Sequence, residues 1–293
     1  MNRGAMTALT AYVLWGLSPI YWRLVDDVAS IDIVLGRTVA TGLFLLALHL
    51  GGKTLHRVRS HVSSPRGAGM FVLTAALLSS NWLIFVWAVN NERVLEASLG
   101  YFINPLVSVV LGVVVLRERL RLLPMLSVGI AAVGVVVLAI DVGAVPWVSL
   151  SLALTFGAYG LIRKTSPAGS LDGLTLEMCV LIPIAVAALA FRAFAGDGVV
   201  GVSVPGRDVW LLGAGVMTAA PLLLFAKAAR QIELWLIGML QFTAPTIQFI
   251  LGTVVWDEPW SGGQAVGFII IWLALIAFAT EPIMRRRNRL AAS

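Results

Sequence analysis

The chain has 293 residues, of which 59% are hydrophobic and only 12% charged. Soluble proteins carry roughly a quarter charged residues, and a chain of this length could not cover itself with so few. With a mean hydropathy of +0.93, lipid has to be the solvent for most of its surface, which excludes a soluble globular protein. The formal net charge of +6 would point to nucleic acid in a soluble chain. Here the basic residues lie in short clusters between apolar runs, so they report topology, and no nucleic-acid partner is expected. Cys179, the single cysteine, lies within an apolar run and excludes a disulfide framework or a multi-cysteine metal site.

A bilayer core about 30 Å thick needs about 20 apolar residues per helix at a rise of about 1.5 Å per residue. Such runs are predicted at residues 4–24, 31–50, 69–90, 94–116, 122–140, 146–163, 172–195, 208–228, 233–256 and 262–281. The first run leads straight into another span, so no cleavable leader is expected. The longest connection, residues 51–68, carries Lys53, His56, Arg57, Arg59, His61 and Arg66, and no soluble domain interrupts the series.

Taken in order, span one holds Trp15, Gly16, Ser18, Pro19, Tyr21 and Trp22, and span three opens on Ser79, Ser80, Asn81 and Trp82. Such aromatic side chains can line a pocket for an apolar or aromatic solute, or form the belt at the membrane interface. For the deeper Trp15, Asn81 and Trp82, pocket lining and plain packing remain alternatives. Span two carries Arg37 and span seven Glu177, each about two turns from a span end. A charge at mid-bilayer costs at least about 2.5–3.5 kcal/mol on insertion scales, so both should face the bundle or a wet cavity. Read functionally, Glu177 is a proton-coupling carboxylate and Arg37 an anchor for an anionic group. The structural alternative is snorkelling or a fixed partner.

Spans four and nine carry the clearest pattern. Pro105 and Pro245 lie near their centres, and each removes an amide donor and frees the carbonyl four residues earlier, of Tyr101 and of Gln241. Tyr101, Asn104 and Ser108 share one helical face, as do Gln241 and Gln248, with Gly112 and Gly252 continuing the stripes. A matched pair of interrupted helices is the best pointer to a transporter site. The alternative is a proline kink with Asn and Gln as glue between helices. Glu118 and Glu258 end these spans and are expected to cap neighbouring helices or to pair with Arg117 or Arg121.

Topology follows from the basic residues. With the N-terminus in the cytoplasm, 16 lysines and arginines fall on the inner side and 4 on the outer, Arg37 lying within a span. That bias assigns both termini to the cytoplasm. An internal repeat sharpens the picture. At an offset of 140 residues Phe85 meets Phe225, Phe102 meets Phe242, Pro105 meets Pro245, Gly112 meets Gly252, Glu118 meets Glu258, and Arg37 meets Glu177. At an offset of 141, Trp15 and Gly16 meet Phe156 and Gly157. A five-span unit must reverse its orientation in the second copy. The expected fold is therefore an all-α integral membrane protein of ten transmembrane helices, in two inverted five-helix repeats at residues 1–142 and 143–293. The substrate site of such a fold lies near the midplane between repeats.

Three absences bear on function. No G-x-x-x-x-G-K-[ST] phosphate loop is present, so the chain is not expected to hydrolyse ATP itself. There is no H-E-x-x-H pair, and His49, His56 and His61 cluster at one edge, so neither a metal nor any other cofactor is expected. No intramembrane aspartate pair or Ser/His dyad suggests an enzyme.

The segments AYVLWGLSPIYW, NWLIFVWAVN, SLGYFINPL, APLLLFAKAAR and LQFTAPTIQF resemble the RarD branch of the EamA-type drug/metabolite transporters, and the likeness runs over nearly the whole chain. It implies an inner-membrane permease with a central cavity open alternately to each side. Carried over position by position, it names Trp15, Asn81, Tyr101, Asn104, Gln241 and Gln248 as cavity-lining residues; Lys227 departs from the pattern, where a small residue is expected. Residues and resemblance together predict a multi-pass secondary transporter of the cytoplasmic membrane, exporting small organic metabolites or drug-like solutes by alternating access. Its candidate substrate contacts are Trp15, Asn81, Trp82, Tyr101, Asn104, Pro105, Gln241, Pro245 and Gln248, with Arg37 and Glu177 as coupling or charge-sensing residues. The proton is the expected coupling ion and a homodimer the assembly to test. The alternatives are an uncoupled facilitator of the same fold and, more remotely, a membrane enzyme or signalling subunit.

Overall fold

A computed structural model describes residues 3–25, 27–61, 64–143, 147–196 and 207–291, and among them every regular element is helical. In chain order these are α1 (Arg3–Trp22), α2 (Ser30–Gly52), the short α3 (Leu55–Ser60), α4 (Pro65–Asn90), α5 (Val94–Val114), α6 (Leu122–Val142), α7 (Trp147–Thr165), α8 (Ser170–Ala195), α9 (Arg207–Ala229), α10 (Leu234–Gln241), α11 (Thr243–Ile250) and α12 (Gly262–Ala291). Local sequence sets several of the ends. Ser64 accepts a hydrogen bond from the Gly67 amide at 3.1 Å and Pro65 follows it, an N-cap with proline in the first turn of α4. Gly143 and Gly196, with φ of 69° and 81°, supply the left-handed residues that end α6 and α8.

Eight helical segments are long and apolar enough to cross a membrane, among the described residues. The chain is thus an all-α, multi-pass membrane protein. Its outer face agrees, since Ile140, Phe191, Phe194, Ile184 and Ile276 are large apolar side chains left exposed on α6, α8 and α12. The two remaining long helices, α1 and α7, fall short of that hydropathy. They carry the glycines, hydroxyls and aromatic phenols that a helix needs when its neighbours are other helices and not lipid: Gly4, Tyr12 and Gly16 of α1, and Gly157, Tyr159 and Gly160 of α7, are all buried.

The packing is reciprocal. Helix α1 lies on α9, α10 and α11, while α7 lies on α4 and α5; α2 meets α8, α5 meets α10, and α6 meets α12. Individual contacts repeat the pattern. A methyl group added at Gly16 would come within 2.8 Å of Ile247, and one at Gly157 within 2.6 Å of Val107, the residue 140 positions before Ile247. Helices α6 and α12 cross closely, because a methyl at Gly134 would lie 2.9 Å from the Gly267 carbonyl oxygen. One core gathers Tyr12, Leu78, Tyr159, Leu222, Phe225 and Ile237, and a second gathers Phe102, Val135, Met239, Phe242 and Phe268.

The two proline-bearing spans differ. The segment 234–255 breaks at Phe242 between α10 and α11 and closes in a π turn at Leu251–Val255. Helix α5 runs through Pro105 as one continuous element. The expected matched pair of interrupted helices is therefore interrupted in one member only.

Candidate functional site

A cavity of about 570 Å³ lies between the helices of residues 1–142 and those of 143–293, a size within the usual range for small-molecule sites. Its lining starts deep in the bundle at Tyr12, Trp15, Asn104, Leu222 and Gln241. It ends at Val94 and Leu95 in the first turn of α5 and at Trp256, Glu258 and Trp260 in the turn after α11.

The inner wall is aromatic. Trp15 stands edge-on to Phe156 with centroids 5.7 Å apart, Phe156 meets Phe225 at 5.2 Å, and Tyr12 meets Trp15 at 5.7 Å. Trp15 and Phe156 are the aromatic positions that the 141-residue offset aligns. Such rings offer a flat apolar surface with polar edges, suited to an aromatic or amphipathic solute.

Polar groups converge on this wall with different commitments. Asn81 donates from Nδ2 to the Leu152 carbonyl and to Thr155 Oγ1, both at 2.9 Å, so it ties α4 to α7. Gln248 donates from Nε2 to the Trp15 carbonyl at 3.1 Å. That carbonyl is one that Pro19, lacking an N–H, cannot satisfy; Ser18 Oγ supplies its other donor at 2.8 Å. Tyr12 donates to Gln241 Oε1 at 3.5 Å. Asn104 differs, because its Oδ1 is buried without a hydrogen-bond partner among the described residues.

Arg37 reaches the cavity wall from α2. Its guanidinium lies 4.4 Å from the Trp82 ring centroid and 5.7 Å from that of Trp22. Its Nε is buried with no hydrogen bond, and among the described residues no carboxylate pairs with it. A cation over two indole faces gains from the ring quadrupoles, but its Nε–H still lacks an acceptor.

Most of the residues singled out in the sequence meet in this one cavity: Trp15, Asn81, Trp82, Tyr101, Asn104, Gln241, Pro245, Gln248 and Arg37 all line it. Pro105 does not. Its carbonyl faces α10, where a methyl at Gly238 would lie 2.5 Å away. Glu177 is likewise elsewhere, wholly buried with the equally buried Arg163, whose Nε is 3.6 Å from Glu177 Oε1. Tyr159 donates to Glu177 Oε2 at 3.1 Å. Arg163 also donates to the carbonyls of Gly169 and Ser170 at 3.1 and 3.3 Å. Sequence reasoning placed Arg163 among the inner-side topology charges and missed this pairing. The signal was the i, i+4 spacing of Tyr159 and Arg163 on one face of α7. It also missed Tyr12, one turn before Trp15 on the same face of α1.

The expected capping role is present for Glu118, whose Oε1 and Oε2 accept from the Leu234 and Trp235 amides at 2.8 and 3.0 Å, at the start of α10. Glu258 stands at the cavity mouth instead, 3.8 Å from Arg23.

Fold and cavity define a multi-pass helical membrane protein with a pocket for a small solute, and comparison with known proteins supplies the family. Residues 2–140 match the model of the EamA-like transporter family. The chain is 38% identical over 293 aligned positions to the uncharacterized transporter YojE of Bacillus subtilis, covering 98% of this chain and 96% of that one. It is 39% identical over 297 aligned positions to protein RarD of Streptomyces exfoliatus, covering 99% and 93%. A protein of known crystal structure, 17% identical, shares the fold with a TM-score of 0.72 over 94% of this chain and 97% of its own. The chain belongs to the RarD branch of the EamA-like transporter family, and is a membrane transporter.

Proposed function

We propose that the protein is a secondary transporter that exports small organic metabolites or drug-like solutes across the cytoplasmic membrane by alternating access. In this reading ten transmembrane helices form two inverted repeats, residues 1–142 and 143–293, with both termini in the cytoplasm. The observation that carries it is a solute-sized cavity whose walls come from equivalent helices of both repeats, α1 with α7 and α5 with α10 and α11. The reciprocal contacts of Gly16 with Ile247 and of Gly157 with Val107 support the inverted arrangement. So does a family match that ends at residue 140, next to the expected boundary.

The cavity's chemistry favours a solute with an aromatic or apolar body and an acidic group. The rings of Trp15 and Phe156 take the body, the unpaired Arg37 takes the anion, and the unpartnered Asn104 Oδ1 takes a donor. The coupling ion in this proposal is the proton, with Glu177 as the carboxylate that carries it. The second reading, an uncoupled facilitator, is favoured by one specific feature: Glu177 lies off the cavity in a sealed pair with Arg163.

Proteoliposome flux of benzenesulfonate, an anion that neither crosses lipid freely nor picks up protons, tests the proposal. Accumulation against a gradient that collapses with the pH gradient, and that Glu177→Gln abolishes, supports coupled transport. Saturable flux indifferent to both supports the facilitator. Flux no greater than in empty liposomes would remove the organic-anion assignment.

A further inference from the structure

The two turns that follow the proline-bearing spans are built alike. After α5 the chain turns through Arg117, with φ of 57°, and after the π turn it turns through Asp257, with φ of 50°. The Glu118 amide donates to the Gly112 carbonyl at 3.0 Å, and the Glu258 amide to the Gly252 carbonyl at 2.9 Å. Each glutamate folds its carboxylate back over that glycine, where a methyl would stand 2.5 Å from Glu118 Oε2 or 2.9 Å from Glu258 Oε2. At Gly112 a methyl would also stand 3.0 Å from the Trp235 amide nitrogen, so the start of α10 closes over that glycine, whereas at Gly252 the Glu258 side chain alone comes near. Each turn is a hook that presents one acid.

What the hooks hold is different. Glu118 holds the first turn of α10 through the Leu234 and Trp235 amides, two of the donors a helix start leaves unsatisfied. Lys164 completes this closure: its Nζ is 3.4 Å from Glu118 Oε1 and donates to the carbonyls of Ala229 and Ile232, where α9 gives way to α10. At the other end the positions 140 residues earlier are Val94 and Leu95, which start α5, and Val89 and Glu92, where α4 ends. The position 141 before Lys164 is Arg23, so a second acid and a second base stand where the first pair stands. There the hook is empty. The Glu258 carboxylate accepts no hydrogen bond among the described residues and lies 3.8 Å from Arg23. The side chains of Arg23 and Glu258 are 53% and 59% exposed, against 19% and 9% for Lys164 and Glu118. Val94, Leu95 and Glu258 all border the cavity mouth.

We propose that these turns are two gates engaged in alternation. Glu118 with Lys164 seals the end at which α10 begins. Glu258 with Arg23 seals the opposite end by capping Val94 and Leu95, with the Arg23 guanidinium on the carbonyls of Val89 and Glu92. One gate forms as the other releases. Both engagements use the same groups, one carboxylate on two helix-start amides and one cation on two carbonyls, so exchanging them leaves the bond inventory unchanged. That near-equality is what a bistable element needs if solute binding is to tip it. Glu118, Lys164, Glu258 and Arg23 are then positioning residues that set which side the cavity faces. The inference rests on the alternating-access reading and assigns it residues.

The test uses the full chain in lipid nanodiscs, with Cys179→Ser to remove the native thiol and Leu95→Cys as reporter at the mouth. The readout is the rate of modification by a charged maleimide. Glu118→Gln loosens the engaged gate and should slow labelling by about threefold or more as the open-mouth population falls. Lys164→Gln should act in the same direction. Glu258→Gln loosens only the gate now empty, so labelling should stay as fast or rise while benzenesulfonate flux drops. Slower labelling in Glu118→Gln without slowing in Glu258→Gln is the signature, since a merely structural cap would lower thermal stability without it. Labelling rates unchanged or shifted alike in Glu118→Gln and Glu258→Gln would overturn the gates, whatever the flux. That labelling pattern without flux in the unsubstituted chain would leave the gates standing and overturn the choice of solute.

Discussion

Arg37 and Glu177 occupy positions 140 residues apart, on helices α2 and α8 that pack against each other, yet their surroundings differ. Glu177 of α8 is sealed with Arg163 and Tyr159 of α7. Arg37 faces a cavity between two indoles. The repeat explains this in part, because the position 141 before Arg163 holds Trp22. Where one copy supplies a counter-ion from its own chain, the other supplies a ring and leaves the charge for something else. In the proposed two-repeat arrangement, one copy would stabilise the bundle while the other would serve the solute.

The largest effect that would break this contrast lies on the sealed side. Arg163→Ala leaves a buried carboxylate with no cation, and such losses cost about 3–5 kcal/mol. Unfolding of the purified protein in mixed micelles should show a loss of that order, with the paired replacement Arg163→Met, Glu177→Leu far milder. A small loss in Arg163→Ala would mean that water reaches Glu177.

Next comes the open side. Arg37→Gln should weaken benzenesulfonate binding by about 10- to 100-fold, the worth of about 1.5–3 kcal/mol for a charge-assisted hydrogen bond. It should leave binding of the neutral benzenesulfonamide and the unfolding midpoint nearly unchanged. Calorimetric titration of both ligands gives the comparison, and equal losses for the two would return Arg37 to a packing role.

The smallest effects separate contact from brace within the cavity wall. Asn104→Ala removes an uncommitted acceptor, so flux should fall several-fold while stability holds. Gln248→Ala removes one donor from the Trp15 carbonyl, costing about 1 kcal/mol of stability, with the milder effect on flux. Paired flux and unfolding measurements that reversed this order would exchange the two roles.

Much of the candidate site was legible because polarity inside an apolar helix has few explanations. Asn81, Tyr101, Asn104, Gln241 and Gln248 were singled out for that reason, and all line the cavity. The misreadings have physical causes as well. Pro105 and Pro245 are the same residue at matched positions, but α5 continues through its proline and the second span breaks at Phe242. A missing donor frees a carbonyl; neighbouring helices decide whether the backbone bends to satisfy it. The runs at 4–24 and 146–163 form helices α1 and α7, but both fall below the hydropathy of the eight candidate spans, and their small and polar residues pack against other helices.

The sequence by itself determined the solvent, the helical class and the register that aligns positions 140 apart, because each follows from composition or from spacing along one chain. Only the tertiary structure decided which charges are paired. Among the described residues Arg163 meets Glu177, Lys164 meets Glu118, and Arg37 meets no acid, and nothing in the sequence assigned those partners. Pairing depends on distances of a few ångströms between separate helices, and no periodicity within a helix carries that information.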